Sequence, residues 1–102
     1  MATTRKKGGQ TIIRPGKDLL ASAVDDLRKK LLNKLEKGSK ELIIDLARVK
    51  MVDPVGLGLL IAAHNSLENA GGTLAIKNVS EDIYEIFKVM RLHQYFEVRQ
   101  AI

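Results

Sequence analysis

The chain has 102 residues, 45% of them hydrophobic and only 4% aromatic, which suits one small domain with an aliphatic core of Leu, Ile, Val and Ala. It contains no cysteine, which excludes disulfide scaffolds, thiol catalysis and thiolate metal sites and agrees with a cytoplasmic location. The net charge is +5, no apolar run approaches the roughly 20 residues that span a bilayer, and the basic start of the chain lacks the apolar segment of a secretory signal.

Residues 3–14 read as a hairpin around Gly8-Gly9, a two-residue turn signal. Its first arm is polar, so residues 1–9 are expected to form an edge strand or a frayed arm. Its second arm, Gln10-Thr11-Ile12-Ile13-Arg14, is rich in strand formers, and Pro15-Gly16 stops it. A helix is expected over 22–37. Ser22 stands as N-cap with Asp25 in capping-box position, and Leu20, Val24, Leu27, Leu31 and Leu35 recur at helical spacing. Gly38 fits the left-handed position that closes a helix.

Much of the positive charge lies in Arg5, Lys6 and Lys7 and in Arg28, Lys29, Lys30, Lys34 and Lys37. Such a stripe can attract phosphate backbones or anionic lipid. A solvated helix face explains it more simply, and no aromatic platform is interleaved with the lysines to stack bases. Nucleic acid is therefore not the favoured partner, and a membrane is reached only indirectly.

Residues 41–46 form a mostly apolar run, as a covered strand requires. A second helix is expected over 54–69, with Leu57, Leu60, Ile61, His64 and Leu67 on one face; Leu59 and Ala62 lie off that stripe, and Leu59 would extend an exposed contact patch. Residues 73–77 alternate at period two as a strand, and Asn78-Val79 reads as a turn. Ser80 caps a third helix whose first turn carries Glu81 and Asp82 and whose apolar stripe is Ile83, Ile86, Phe87 and Met90. Residues 95–99 read as a last short strand. This order implies an α/β fold: a small mixed, mostly parallel sheet of 4–5 strands with helices packed over it and right-handed crossovers.

Chemistry concentrates at Asp53-Pro54-Val55-Gly56-Leu57-Gly58. Asp53 sits where an N-cap belongs, and Pro54 falls at N1, where its missing N–H costs nothing. Gly56 and Gly58 each cost about 1 kcal/mol relative to Ala inside a helix, so close approach by a neighbouring strand or by an outside partner is expected. Anions bind at such strand-to-helix junctions, but no Gly-Lys-Ser/Thr follows, the glycine spacing is wrong for a dinucleotide fingerprint, and the Asp53 carboxylate competes for the same N–H groups. His64 and His93, the only histidines, do not form a ligand trio. Asp45 and Asp53 are better explained by turn and cap roles than as a catalytic pair, and Ser22, Ser66 and Ser80 lack an adjacent base.

Taken together, these segments resemble the STAS domain, a family named for sulfate transporters and anti-sigma-factor antagonists. The resemblance rests on Leu42-Ile43-Ile44-Asp45-Leu46 followed by residues 53–58, on Ala70-Gly71-Gly72-Thr73-Leu74, on residues 79–84, on Leu92-His93-Gln94-Tyr95-Phe96, and on Gly16 after the early strand. It covers about residues 10–98 of one domain, 1–102. The family's junction reads Asp-Ser-Ser-Gly-Leu-Gly, and a kinase phosphorylates the first serine. Here that position is Pro54 and the next is Val55; neither accepts a phosphoryl group. The family's terminal helix is also expected to be absent after the last strand, leaving apolar surface near Ile102.

The resemblance implies a non-enzymatic interaction module without cofactor or metal. Its expected partner is a protein, foremost a kinase-type anti-sigma factor, with a second copy of the chain as a further candidate. The expected contact residues are Asp53, Pro54, Val55, Gly56, Leu57, Gly58 and Leu59, with no phospho-switch at Pro54. An accessory subunit of a transport ATPase complex or a signalling scaffold is the alternative function. A small-ligand binder or hydrolase on this fold is a third.

Overall fold

The structure, a computed structural model, describes residues 3–7 and 10–101. The elements in chain order are β1 (Thr3–Lys7), β2 (Gln10–Arg14), α1 (Val24–Glu36), β3 (Glu41–Asp45), α2 (Pro54–Asn69), β4 (Thr73–Val79), α3 (Glu81–Val89), a 3-10 turn (Leu92–Gln94) and β5 (Glu97–Gln100). The five strands lie in one sheet in the order β1-β2-β3-β4-β5. The first pair is antiparallel, and β2 to β5 are parallel. The fold class is thus the expected α/β with a mostly parallel sheet. The expected hairpin strands pair, while its turn, Gly8-Gly9, and the chain end at Ile102 lie outside the described residues.

Because each parallel strand is added on the same side of the last, right-handed crossovers place α1, α2 and α3 on one face. There Ile13, Leu42, Ile44, Leu74 and Ile76 of the sheet meet Leu27 and Leu31 of α1, Leu57, Leu60 and Leu67 of α2, and Ile83 and Phe87 of α3. Strand alternation turns Ile12, Arg14, Ile43, Asp45, Ala75 and Lys77 to the opposite face. Ile43 is buried yet stands apart from that core cluster. Asp45 is buried beside it, held by Arg14 Nη2 at 2.7 Å and Nε at 3.1 Å and by the Ala47 N–H at 2.9 Å. Burial raises the Asp45 carboxyl, but hydrogen bonds from Asn78, Ala47 and Arg14 outweigh it, so its pKa lies below the ordinary value.

Several local expectations are corrected. Ser22 does not cap α1; the helix starts two residues later, with Ala23 at the N-cap and no side-chain cap. The turn at residues 21–23 is instead tied to the α2 junction by the Ala21 N–H. Asn78-Val79 is not a turn. β4 runs to Val79 because Asn78, at φ 58°, forms a bulge; Ile76 faces Val98 and Val79 faces Gln100, so β4 carries one extra residue. The extra residue flips the alternation and returns Val79 to the core.

On α3 only Ile83 and Phe87 are buried; Ile86 and Met90, expected in the same stripe, are exposed, since the sheet edge covers a narrow arc of this short helix. The last strand starts at Glu97 rather than Tyr95, because residues 92–94 wind into the 3-10 turn and Phe96 is drawn into the core against Phe87. The ends of α1 and α2 follow expectation: Gly38 and Gly71 adopt φ of 82° and 78°, and the next residues donate back to Lys34 and Leu67. Ser80 caps α3 by accepting from Ile83 N at 3.3 Å.

Phe87 is fully buried and meets Phe96 edge-on at 6.4 Å. Phe87→Ala is expected to cost about 3–5 kcal/mol in urea denaturation with an unchanged m-value.

Candidate functional site

The strand-to-helix junction after β3 is built from two chain segments. Residues 18–19 run beside residues 50–53: the Leu19 N–H donates to Met51 O at 3.0 Å, the Asp53 N–H donates to Leu19 O at 3.1 Å, and Leu19 and Val52 form an isolated parallel bridge. The Asp18 carboxylate accepts from Lys50 N at 2.8 Å. These residues extend the sheet locally, beyond β3, and fix where α2 can begin.

Asp53 closes the junction with both carboxylate oxygens. Its backbone is extended (φ −121°, ψ 176°), and Oδ1 accepts from Gly56 N at 2.9 Å, as an N-cap should. Oδ2 accepts from Ala21 N at 2.8 Å, across 32 positions of sequence. The Gly56 and Ala21 N–H groups hold the Asp53 carboxyl below its ordinary value of 3.8. Pro54 follows at N1 and is exposed.

The two glycines have different reasons. A Cβ on Gly56 would stand 2.1 Å from Leu19 O, so only glycine lets α2 pack against residues 18–21. A Cβ on Gly58 would meet nothing within 4 Å. Close approach within the chain therefore accounts for Gly56, and nothing among the described residues accounts for Gly58.

Of the seven predicted contact residues, Pro54, Val55 and Gly58 are exposed, Val55 to 46%. Asp53 is half-buried and occupied by its two N–H partners. Gly56 and Leu57 are buried. Leu59 corrects the expectation of an exposed patch: it is 8% exposed and belongs to the core. The reason is that α2 packs against both α1 and β4, so its buried arc exceeds one stripe. Val55, Gly58 and Ala62 remain as an exposed, small and flat row at steps of three and four. Met51, 59% exposed beside the cap, joins the junction surface and was not singled out by the sequence pattern. The tether to residues 18–21 was missed as well, since no local motif announces a hydrogen bond spanning 32 positions.

The surroundings offer little acid–base chemistry. Asp45 and Asp53 are each engaged by N–H donors. His64 lies 3.3 Å from Glu68 and packs on the Phe96 ring, away from the junction. Among the described residues, no three His, Cys, Asp or Glu side chains are grouped to hold a metal ion, and no helix is long and apolar enough to cross a membrane.

A five-stranded, mostly parallel sheet covered by helices on one face, with an Asp-capped helix opening after the central strand, defines a small mixed-sheet α/β fold. The chain belongs to the STAS domain family, whose family model matches residues 1–102. An anti-sigma-B factor antagonist of Bacillus subtilis is 31% identical over 72 residues, 71% of this chain and 65% of that protein, so the match spans just under two thirds of the relative. The crystal structure of a candidate anti-sigma factor antagonist from Thermotoga maritima superposes with a TM-score of 0.91 at 20% identity, covering 99% of this chain and 87% of the other. The anti-sigma factor antagonist SpoIIAA of Bacillus, in its unphosphorylated form, superposes with a TM-score of 0.75 at 20% identity, covering 100% and 89%. At these identities the two structures show a shared fold.

The glycine pair gives an asymmetric outcome. Gly58→Ala is expected to stabilise the protein by about 1 kcal/mol, whereas Gly56→Ala is expected to destabilise it by about 1–3 kcal/mol or more, both read by urea denaturation. The lowered Asp53 carboxyl adds stability that is fully present above the ordinary carboxylate range and is lost as pH falls through its folded value. The stability gap between wild type and Asp53→Asn is therefore expected to close on acidification; a gap that persists at low pH would contradict this.

Proposed function

We propose that this chain is a non-enzymatic antagonist of an anti-sigma factor, docking a kinase-type anti-sigma factor through residues 53–58 and the start of α2. The observation that carries the reading is the junction itself. Pro54, Val55 and Gly58 are exposed at the helix start, and residues 53–59 contain no hydroxyl. The names of the related anti-sigma-B factor antagonists support the same direction. Docking frees a sigma factor that the partner would otherwise hold, in the cytoplasm where transcription occurs.

The physics of docking follows from the surface. Gly58 lets a partner backbone approach α2 closely, and Val55 and Met51 supply apolar area around it. In a phosphorylatable relative, a phosphoryl group at the first position after the Asp would add a charge of roughly −1.5 to −2 and substantial bulk. Pro54 has no atom to carry one. The chain therefore stays in its binding form at this site, and control falls to abundance or to another residue.

Two variants test this. Val55→Asp places a carboxylate in the first turn, where a helix tolerates it, so the fold is expected to survive while affinity for the anti-sigma factor drops by about tenfold or more. Binding is measured by calorimetry, and unchanged affinity would remove the junction from the interface. Pro54→Ser supplies the missing hydroxyl. With the kinase and ATP it is expected to accept one phosphoryl group and then to lose binding; binding that persists with phosphate at position 54 would refute the switch logic.

A further inference from the structure

The free edge of β5 carries a pattern that is complementary to itself. β5 pairs only with β4 among the described residues. The Ala101 N–H donates to Val79 O at 2.9 Å. In a parallel ladder alternate residues bond to the same neighbour, so Glu97 and Arg99 share that orientation and Val98 turns its backbone N–H and C=O to the unpaired side. Edge strands that avoid association are short or bulged, or carry charged side chains or proline. β5 is short and charged, but its two charges are opposite in sign, so they repel neither each other nor a reversed copy. It reads Glu97-Val98-Arg99-Gln100, with opposite charges flanking Val98 and both side chains exposed.

We propose that two copies of this chain associate through β5, antiparallel, about a two-fold axis at Val98. The two outward Val98 backbones exchange both hydrogen bonds, as in any hydrogen-bonded antiparallel pair. That register sets Glu97 of each copy opposite Arg99 of the other, and opposite charges directly across a pair are stabilising. Within one copy Glu97 Oε2 and Arg99 Nε already lie 3.3 Å apart on the same face of the strand. Pairing the copies turns that ion pair into a square of four charges alternating in sign. The contact is isologous, so it closes after two copies and leaves the outer edges at the two β1 strands. The result is one ten-stranded sheet, with the helix-free faces of both copies on the same side. α3, the helix that packs on β5, carries Ile86, Val89 and Met90 exposed at steps of three and four, Val89 to 80%.

Sedimentation equilibrium of the full chain over a wide concentration range is the test, with circular dichroism melts as the control for folding. Wild type is expected to show a monomer–dimer equilibrium that weakens with added salt. Arg99→Glu puts carboxylates opposite carboxylates and is expected to weaken the dimer by at least about tenfold with an unchanged melt. The double swap Glu97→Arg, Arg99→Glu restores the alternation and is expected to recover the dimer. A wild type monomeric throughout would overturn the proposal. So would an Arg99→Glu variant that dimerises as tightly as wild type, or a double swap that stays monomeric, because the register requires both.

Discussion

The contact on which the rest of the site depends is the Asp53 carboxylate shared between two parts of the chain. One oxygen satisfies an otherwise unpaired N–H at the start of α2, and the other holds residue 21, which precedes α1. A single side chain thereby sets the start of one helix against the approach to another. The Gly56–Leu19 contact is the steric counterpart: α2 must come so close to residues 18–21 that no Cβ fits. Polar and steric constraints thus agree, and the junction surface is held rigidly by interactions that need no modification to form.

That rigidity divides one short segment into positions that serve the fold and positions left exposed. Asp53, Gly56, Leu57 and Leu59 serve the fold, by capping, close approach and burial. Pro54, Val55 and Gly58 are left facing outward. Gly58 is the telling position, since it weakens the helix with no compensating contact among the described residues. A residue kept against local propensity, with open space around it, is where an outside partner is to be sought.

Much of this was legible in the sequence because it depends on local rules. The strand and helix order followed from apolar periodicity, and Asp53-Pro54, Ser80 and Gly38 marked helix ends through chemistry that acts within a few residues. What escaped depends on distant partners. Ser22 is a sound cap by composition, yet α1 begins after it. Asn78 looked like a turn because its left-handed backbone is common in turns, whereas here it is a bulge inside β4. Leu59 looked superfluous because one stripe suffices for a helix on a single surface, and α2 has two. Ile86 and Met90 erred the other way: their spacing fits a buried stripe, but the sheet ends before it covers them.

The junction thus combines an exposed helix start with a sequence, residues 53–59, that contains no hydroxyl. On the proposed reading, a serine at that position would make the junction surface conditional on a kinase, whereas Pro54 carries no hydroxyl and its fixed φ suits the helix it opens. The most direct measurement is the affinity of the wild-type chain for its cognate kinase-type anti-sigma factor before and after incubation with ATP and magnesium. An unchanged Kd, with no phosphate recovered on residues 53–58, is the expected result. Stoichiometric phosphorylation accompanied by loss of binding would contradict it.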